Sequence, residues 1–372
     1  MATLKGVTLT LLMGPVAVAP APVAVIEALE SAQVTSAVGQ RSGFQISFTY
    51  SKTSPIATTL LPAGYFDPMI RVILIATLNG VPKVLADGPI KRQDVTASSS
   101  PGENKLTITG DDISGYMDLL DFTGFPFPAL PTFLRVGALI AKYAMFGVIP
   151  LPIPEIFSTI ELPIKAFAHQ QGTDYEYLTK MAQEAGYEFY VTPGPAPGTN
   201  TAYWGPQVRF GIPQPALTID MDHASNIDSM SFSADGNAAV MPYGYVKVAG
   251  FSVPVPVPNI SLLAPPLAAR PLIPTKIRPV ETERNEFPKA MALLLAKRGA
   301  AEPVSANGSI DLTRSGKPID ARSIIGVRGA GLAHDGLYYV RSVTHTLGRG
   351  SWKQSFQLQR DGLISTVPAV PL

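Results

Sequence analysis

Gly43-Phe-Gln-Ile-Ser-Phe-Thr-Tyr50 alternates apolar and polar side chains. That is the period-two signature of a strand with one face in a core. The same reading extends outward from it. Residues 69–78 are a run rich in β-branched side chains that stops at Asn79-Gly80, a strong hairpin signal, so 83–85 is the expected return strand. Leu106 and Ile108 alternate with Thr107 and Thr109 in a further strand over 104–110. Residues 111–114 then read as a helix start and 116–120 as a short helix. Upstream, residues 6–26 carry no charge. Gly14, Pro15, Pro20 and Pro22 interrupt this stretch, so 7–12 is expected as a buried strand followed by an extended segment, rather than a spanning helix or cleaved signal. Six or seven short strands in the first third predict a small barrel or sandwich.

The middle of the chain reads as mixed. Residues 132–148 and 174–185 are helical in pattern, the first an amphipathic helix with Arg135 and Lys142 inside it. The second is capped at Thr173 or Asp174 and stopped by Gly186. Strands are expected over 187–191, 207–212, 217–221, 230–233 and 243–248. Residues 249–269 are uncharged and contain Pro254, Pro256, Pro258, Pro265 and Pro266. This excludes a regular helix or inner strand and points to an extended polyproline-like arm, a candidate grip on a partner. A helix over 287–298 ends at Gly299. Strands at 324–328, 337–345 and 352–360 return the chain to β structure, with hairpin signals at Asp335-Gly336 and Gly348-Arg349-Gly350.

Charged residues make up only 15% of the 372 positions and apolar ones 46%, against about 25% charged in ordinary soluble domains. So sparse a charge covers a lone monomer poorly and points to surface buried against other subunits. The formal net charge is +1, which argues against long-range capture of nucleic acid or an acidic membrane. The absence of cysteine removes disulfides, thiolate metal sites and thiol nucleophiles.

The chemistry-bearing residues do not assemble into a motif. The histidines are His169, His223, His334 and His345; no two share a helical i, i+4 spacing, so no local metal cluster is expected. His334 reads as part of a turn and His345 as a strand residue. Asp220, Asp222 and His223 lack the spacing of a calcium loop and read as a polar strand end. Gly326-Val-Arg-Gly-Ala-Gly331 is followed by a turn and a strand, not by the helix a dinucleotide loop requires. Asp111, Asp112, Asp118 and Asp121 could be paired glycosidase carboxylates only across a cleft, and as near neighbours they read as caps and turn residues. The expectation is no catalytic, cofactor-binding or metal residue.

Several stretches together resemble the central hub of contractile phage tails and injection particles: the late-control-protein-D family, the first half of type VI secretion spike proteins, and the hubs of extracellular contractile injection systems. Glu27-Ala-Leu-Glu-Ser31, Gln33-Val-Thr35 and Arg41-Ser-Gly-Phe-Gln-Ile-Ser-Phe48 are similar to that family's opening strands. Leu106-Thr-Ile-Thr-Gly-Asp-Asp112 with Met117-Asp118 resembles the close of its first barrel. Thr173-Asp-Tyr-Glu-Tyr-Leu-Thr-Lys-Met-Ala-Gln-Glu-Ala-Gly-Tyr-Glu-Phe189 is the most specific match, a helix with a Gly-Tyr exit into a strand. Asp335-Gly-Leu-Tyr-Tyr-Val-Arg-Ser-Val-Thr-His345 and Gln354-Ser-Phe-Gln-Leu-Gln-Arg-Asp-Gly-Leu363 resemble the closing hairpin of the second barrel.

The resemblance implies a mainly β chain with α+β insertions, carrying two similar small antiparallel β-barrels. The first barrel would span 1–121, the insertion with its Pro-rich arm 122–215 and 250–320, and the second barrel 216–249 and 321–372. Three copies would form a pseudo-sixfold ring and join a sixfold tail tube to a threefold spike. The implied partners are two further copies, a separate spike protein, the first tail tube ring and baseplate wedge proteins, with no nucleic acid and no integral membrane segment. Assembly would take place in the bacterial cytoplasm, into a phage tail or phage-tail-like particle, with a structural rather than enzymatic role. Two rival readings are a peptidoglycan-degrading hydrolase, which requires a cleft with a carboxylate of raised pKa, and a secreted β-sandwich adhesin, which requires 6–26 to be cleaved.

Overall fold

The computed structural model describes residues 6–100, 102–127, 130–155, 169–221, 225–248, 251–256, 265–280 and 302–367. The expected helix over 287–298, Asp222, His223 and parts of the 249–269 arm lie outside them.

The first third is a sheet. β1 (Val7–Gly14) runs between β2 (Ala19–Pro20) and β5 (Arg71–Leu78). The uncharged N-terminal stretch is thus a strand of this sheet, which removes the premise of the adhesin reading. A short helix α1 (Val23–Ala28) leads into β3 (Leu29–Ala37) and β4 (Gly43–Tyr50). β5 turns at Asn79 (φ 51°) and Gly80 (φ 82°), the two positive φ angles of a hairpin turn whose twist suits the strands. The return strand β6 (Val81–Thr96) is 16 residues long and is followed by β7 (Asn104–Asp111).

A mixed unit packs beside this sheet. α2 (Thr132–Ala141) buries Val136, Leu139 and Ile140 at helical spacing. It is shorter than expected: Gly147 takes a left-handed φ of 76°, and β8 (Val148–Pro152) begins where a helix was read. α3 (Asp174–Ala185) has a reciprocal capping box between Thr173 and Glu176 and ends at left-handed Gly186. It leads to β9 (Glu188–Pro193) and β10 (Asn200–Gly205), which join β8 in a three-stranded sheet. The strand expected over 207–212 is absent. Its alternation is turned inside out: Val208, Phe210 and Ile212 face solvent while Arg209 lies over the Tyr339 ring at 5.1 Å.

Next come β11 (Gln214–Thr218), which stops short of left-handed Asp220, and β12 (Ser229–Ala234). β13 (Val240–Val248), β14 (Phe251–Pro256) and β16 (Lys276–Val280) form a separate small sheet with β14 at its edge. Part of the Pro-rich arm is therefore a paired strand. An edge place suits Pro254 and Pro256, which have no N–H to donate. β15 (Ala268–Pro271) pairs with the late strand β21 (Gly362–Ser365). β17 (Val304–Asp311), a one-turn α4 (Leu312–Ser315), β18 (Ile324–Arg328), β19 (Gly336–Gly348) and β20 (Ser351–Arg360) complete the chain. The second sheet thus takes in β17, from a segment read as insertion, and not β13.

The two sheets share one strand order. The first runs β1-β5-β6-β7-β4-β3 and the second β11-β18-β19-β20-β17-β12. Taken in chain order within each sheet, both are first-fourth-fifth-sixth-third-second. The fifth strand carries a bulge at the same place in each, at Lys91 between Ile90 and Arg92 and at Arg341 between Val340 and Ser342. Ile90 donates to the Ile70 carbonyl and accepts from Met69 N; Val340 donates to the Ser323 carbonyl and accepts from Arg322 N. Met69 (φ 74°) and Arg322 (φ 61°) are both left-handed, though neither is glycine. One row across the first sheet reads Ile90, Gly110, Phe44, Val34. The matching row across the second reads Val340, Leu358, Ala306, Phe232.

Two expectations are corrected here. Neither sheet closes into a barrel: β3 pairs with β19, so the hydrogen bonds continue from one sheet into the other, and a single apolar core runs beneath both. Nor is the pairing antiparallel throughout, because β11 lies parallel to β18, where β1 is antiparallel to β5. The mixed unit has its own core around Trp204, Leu178 and Ile140.

Candidate functional site: exposed edges and buried polar clusters

The sequence candidates for chemistry resolve into structural roles. His345 on β19 is buried, and its Nδ1 accepts from Trp352 Nε1 at 3.1 Å. Nδ1 is therefore the unprotonated nitrogen of a neutral ring. Burial, with a smaller contribution from the Lys83 charge, lowers its pKa to about 3. His334 stacks on Phe232 with ring centroids 4.6 Å apart. His169 is exposed in an isolated bridge with Pro126. Residues 326–331 run from β18 into a turn, as expected. Among the described residues no group of His, Asp or Glu could hold a metal ion.

The carboxylates near residue 111 form a bridge between units rather than a cleft. Arg41 Nη1 lies 2.8 Å from Asp111 and 2.7 Å from Asp118, and Lys91 lies 2.9 Å from Asp111. Thr173 donates to Asp118 at 2.9 Å, and the Arg41 guanidinium sits 3.6 Å over the Tyr175 ring. Burial alone would raise Asp118, but the Arg41 hydrogen bond and charge, with Thr173 and Lys91, hold it below the usual carboxylate range. Asp112 does have a raised pKa, pushed up to about 6 by burial against the hydrogen bonds from Ser114 and Ser42. It caps the 3-10 turn over Ile113–Asp118. It is buried, and its carboxylate oxygens accept from the Ser42 and Ser114 amides. One hollow, of about 30 Å³, is lined in part by Leu217, Ile310, Ile319 and Ile325, with room for one or two waters.

Two further buried polar clusters went unread in the sequence. Arg71 on β5 and Asp87 on β6 form a bidentate pair at 2.7 and 2.8 Å. Asn200 donates to Asp87, and Arg71 donates to the Phe146 carbonyl, so the pair ties the first sheet to the mixed unit. Asp174 is fully buried and accepts from Lys142, Tyr143 and Gln170. Arg71 lies inside the expected strand 69–78, but Asp87 lies beyond the expected return strand 83–85, so the pairing had no local signal.

The remaining feature is surface. Leu119, Leu120, Phe125, Met145, Ile149 and the Val208-Phe210-Ile212 strip are exposed. So are the outer edge of β12 and the end of β6. Such a surface suits contact with other protein better than turnover of a small molecule. No helix among the described residues is long and apolar enough to cross a membrane.

The titrations give a prediction with opposed signs. His345 is neutral when folded, so its cost is absent above the unfolded pKa near 6.5 and grows as pH falls toward about 3. Asp112 is held back from ionising, so its cost appears as pH rises from about 4 to about 6 and is relieved on acidification. His345→Asn keeps an acceptor for Trp352 but does not titrate. It is expected to flatten the loss of stability between pH 6 and pH 4, measured by urea unfolding. An unchanged slope would contradict the assignment.

No family model matches the sequence, and no curated protein matches it. Solved structures do match in three dimensions. A tail protein from Neisseria meningitidis MC58 matches with TM-score 0.60 at 15% identity, covering 96% of this chain and 98% of that one. A 43 kDa tail protein of prophage MuSo2 from Shewanella oneidensis gives 0.57 at 12% identity, covering 97% and 100%. A chain of the Francisella PdpA-VgrG complex gives 0.55 at 8% identity, with 98% of this chain laid over 60% of that one. The chain is a mainly antiparallel β protein with the fold of these tail proteins.

Proposed function

We propose that the chain is the structural hub of a contractile tail or injection particle. Three copies would place six similar sheets around an axis, matching a sixfold tail tube on one side and a threefold spike on the other. One observation carries this reading: the two sheets repeat one strand order, with a matching bulge and a matching left-handed residue. A chain with two near-equivalent modules can offer a sixfold partner the same contact six times from three copies. The tail-protein fold supports it. The domains are then the first sheet, the mixed insertion with its Pro-rich arm, and the second sheet including β17. The partners are a separate spike protein, the first tube ring and baseplate wedge proteins, in a particle assembled in the bacterial cytoplasm. The role is mechanical and makes or breaks no bond.

Native mass spectrometry of the purified chain tests this. The expected species is three times the 39.5 kDa protomer. A monomer at every concentration would overturn the reading.

A further inference from the structure

Each sheet has a second strand and a bulged fifth strand. Inside the chain, the second strand of the first sheet, β3, pairs antiparallel with the far half of the fifth strand of the second sheet, β19. That contact places Val34 opposite His345 and Thr35 opposite Thr344, the two threonine hydroxyls 3.1 Å apart. Among the described residues the reciprocal contact is missing. The second strand of the second sheet, β12, ends the strand path, and among the described residues only β17 pairs with it. The far half of β6, past the bulge at Lys91, pairs among the described residues only with β7, because β5 leaves it at Pro89. Among the described residues two sheet edges are therefore open in places that the internal repeat says should be filled.

We infer that these two edges fill each other between copies: β12 of one subunit pairs antiparallel with residues 92–96 of β6 in the next. The proposal rests on the hub reading's premise that copies associate, and adds the seam and its register. Counting from the two bulges, Asp94 and Val95 are the counterparts of Thr344 and His345. Counting across the matching rows, Phe232 and Ser233 are the counterparts of Val34 and Thr35. The seam thus sets Val95 opposite Phe232 and Asp94 opposite Ser233.

The side chains suit that register. Val95 is 53% exposed in the single chain, although its neighbour on β7, Leu106, is fully buried. Phe232 is half-covered, stacked on His334 on one side. Joined, the two apolar side chains extend the core across the seam as Val34 does within the chain. On the other face the Ser233 hydroxyl is placed to donate to the Asp94 carboxylate, where two threonines meet in the internal contact. The two edges differ from each other, so the contact is head-to-tail, the kind that builds a ring when its rotation closes. Pairing also removes two open edges that would otherwise invite aggregation.

The chain has no cysteine, so an engineered pair reports cleanly. The double variant Asp94→Cys/Ser233→Cys, oxidised as full-length protein, is expected to give covalent dimers and trimers on a non-reducing gel. Each single variant is expected to stay monomeric on that gel. Thr96→Cys/Ser233→Cys is two residues out of register, a separation too long for a disulfide, and is expected not to cross-link. A native trimer whose Asp94/Ser233 pair does not cross-link would overturn the seam and leave the hub reading standing. Cross-linking by a single variant would also overturn it, since that requires a two-fold contact. A chain that stays monomeric would overturn both.

Discussion

Asp87→Ala is expected to destabilise the fold by about 3–5 kcal/mol, since removing one partner leaves the other charge buried and uncompensated. Asp87 is fully buried and Arg71 is 4% exposed. The variant strands that guanidinium between β5 and the mixed unit. It also frees the Asn200 amide, which donates to Asp87 at 2.8 Å. Asp87→Asn keeps an acceptor in place and should cost less. Arg71→Met with Asp87→Leu should recover part of the loss, because the attraction of a buried pair only roughly offsets the desolvation of its ions. The two tryptophans make the measurement informative. Trp204 sits in the core of the mixed unit and Trp352 in that of the sheets. In urea unfolding the Trp204 transition should move to lower urea first, since the pair holds that unit to the first sheet. A loss under about 1 kcal/mol would show that the pair carries no uncompensated charge when broken.

Trp352→Ala is the second large effect expected, at about 3–5 kcal/mol for emptying so large a core side chain. Trp352 is 1% exposed on β20, and its indole N–H is bonded to His345. The alanine leaves a cavity and removes one of two donors near His345 Nδ1, the other being Gln354 Nε2 at 3.2 Å, while Trp352→Phe chiefly removes that one hydrogen bond and should cost about 0.5–1.5 kcal/mol. Trp204 is then the one remaining indole, so its fluorescence together with circular dichroism reads both unfolding steps. One apolar cluster runs under the two sheets, so the first sheet is expected to lose stability along with the second. Destabilisation confined to β17–β20 would contradict a shared core.

The strands with a buried face and a regular neighbour were legible from sequence. Residues 43–50, 104–110 and 352–360 alternate as strands with one wet face do, and the Thr173-to-Gly186 helix announced both of its caps. β17 was not legible, because Asn307-Gly308 looks like a turn. In the sheet, Gly308 lies in mid-strand under the Phe356 ring, whose Cζ would come within 2.6 Å of any added Cβ. Residues 207–212 misled in the opposite sense: they alternate, but among the described residues no strand pairs with them. The joint between β3 and β19 spans some 300 positions, and nothing local in Gln33-Val-Thr35 announces it. Beyond the family resemblance, nothing in the residues themselves announces the internal repeat. The matching left-handed residues are Met69 and Arg322, and the matching bulges are Lys91 and Arg341. The backbone repeats where the side chains do not. The buried pair at Arg71 and Asp87 stayed hidden for a related reason: each charge alone reads as a surface residue, and only the hairpin brings them together.

Electron microscopy of the purified chain, averaged in end-on views, tests most directly whether two like sheets per chain serve a sixfold partner. The account predicts a closed ring of three subunits with an open axis, whose rotational power at sixfold rivals that at threefold. A ring of any other order, or three lobes with no sixfold component, would contradict it.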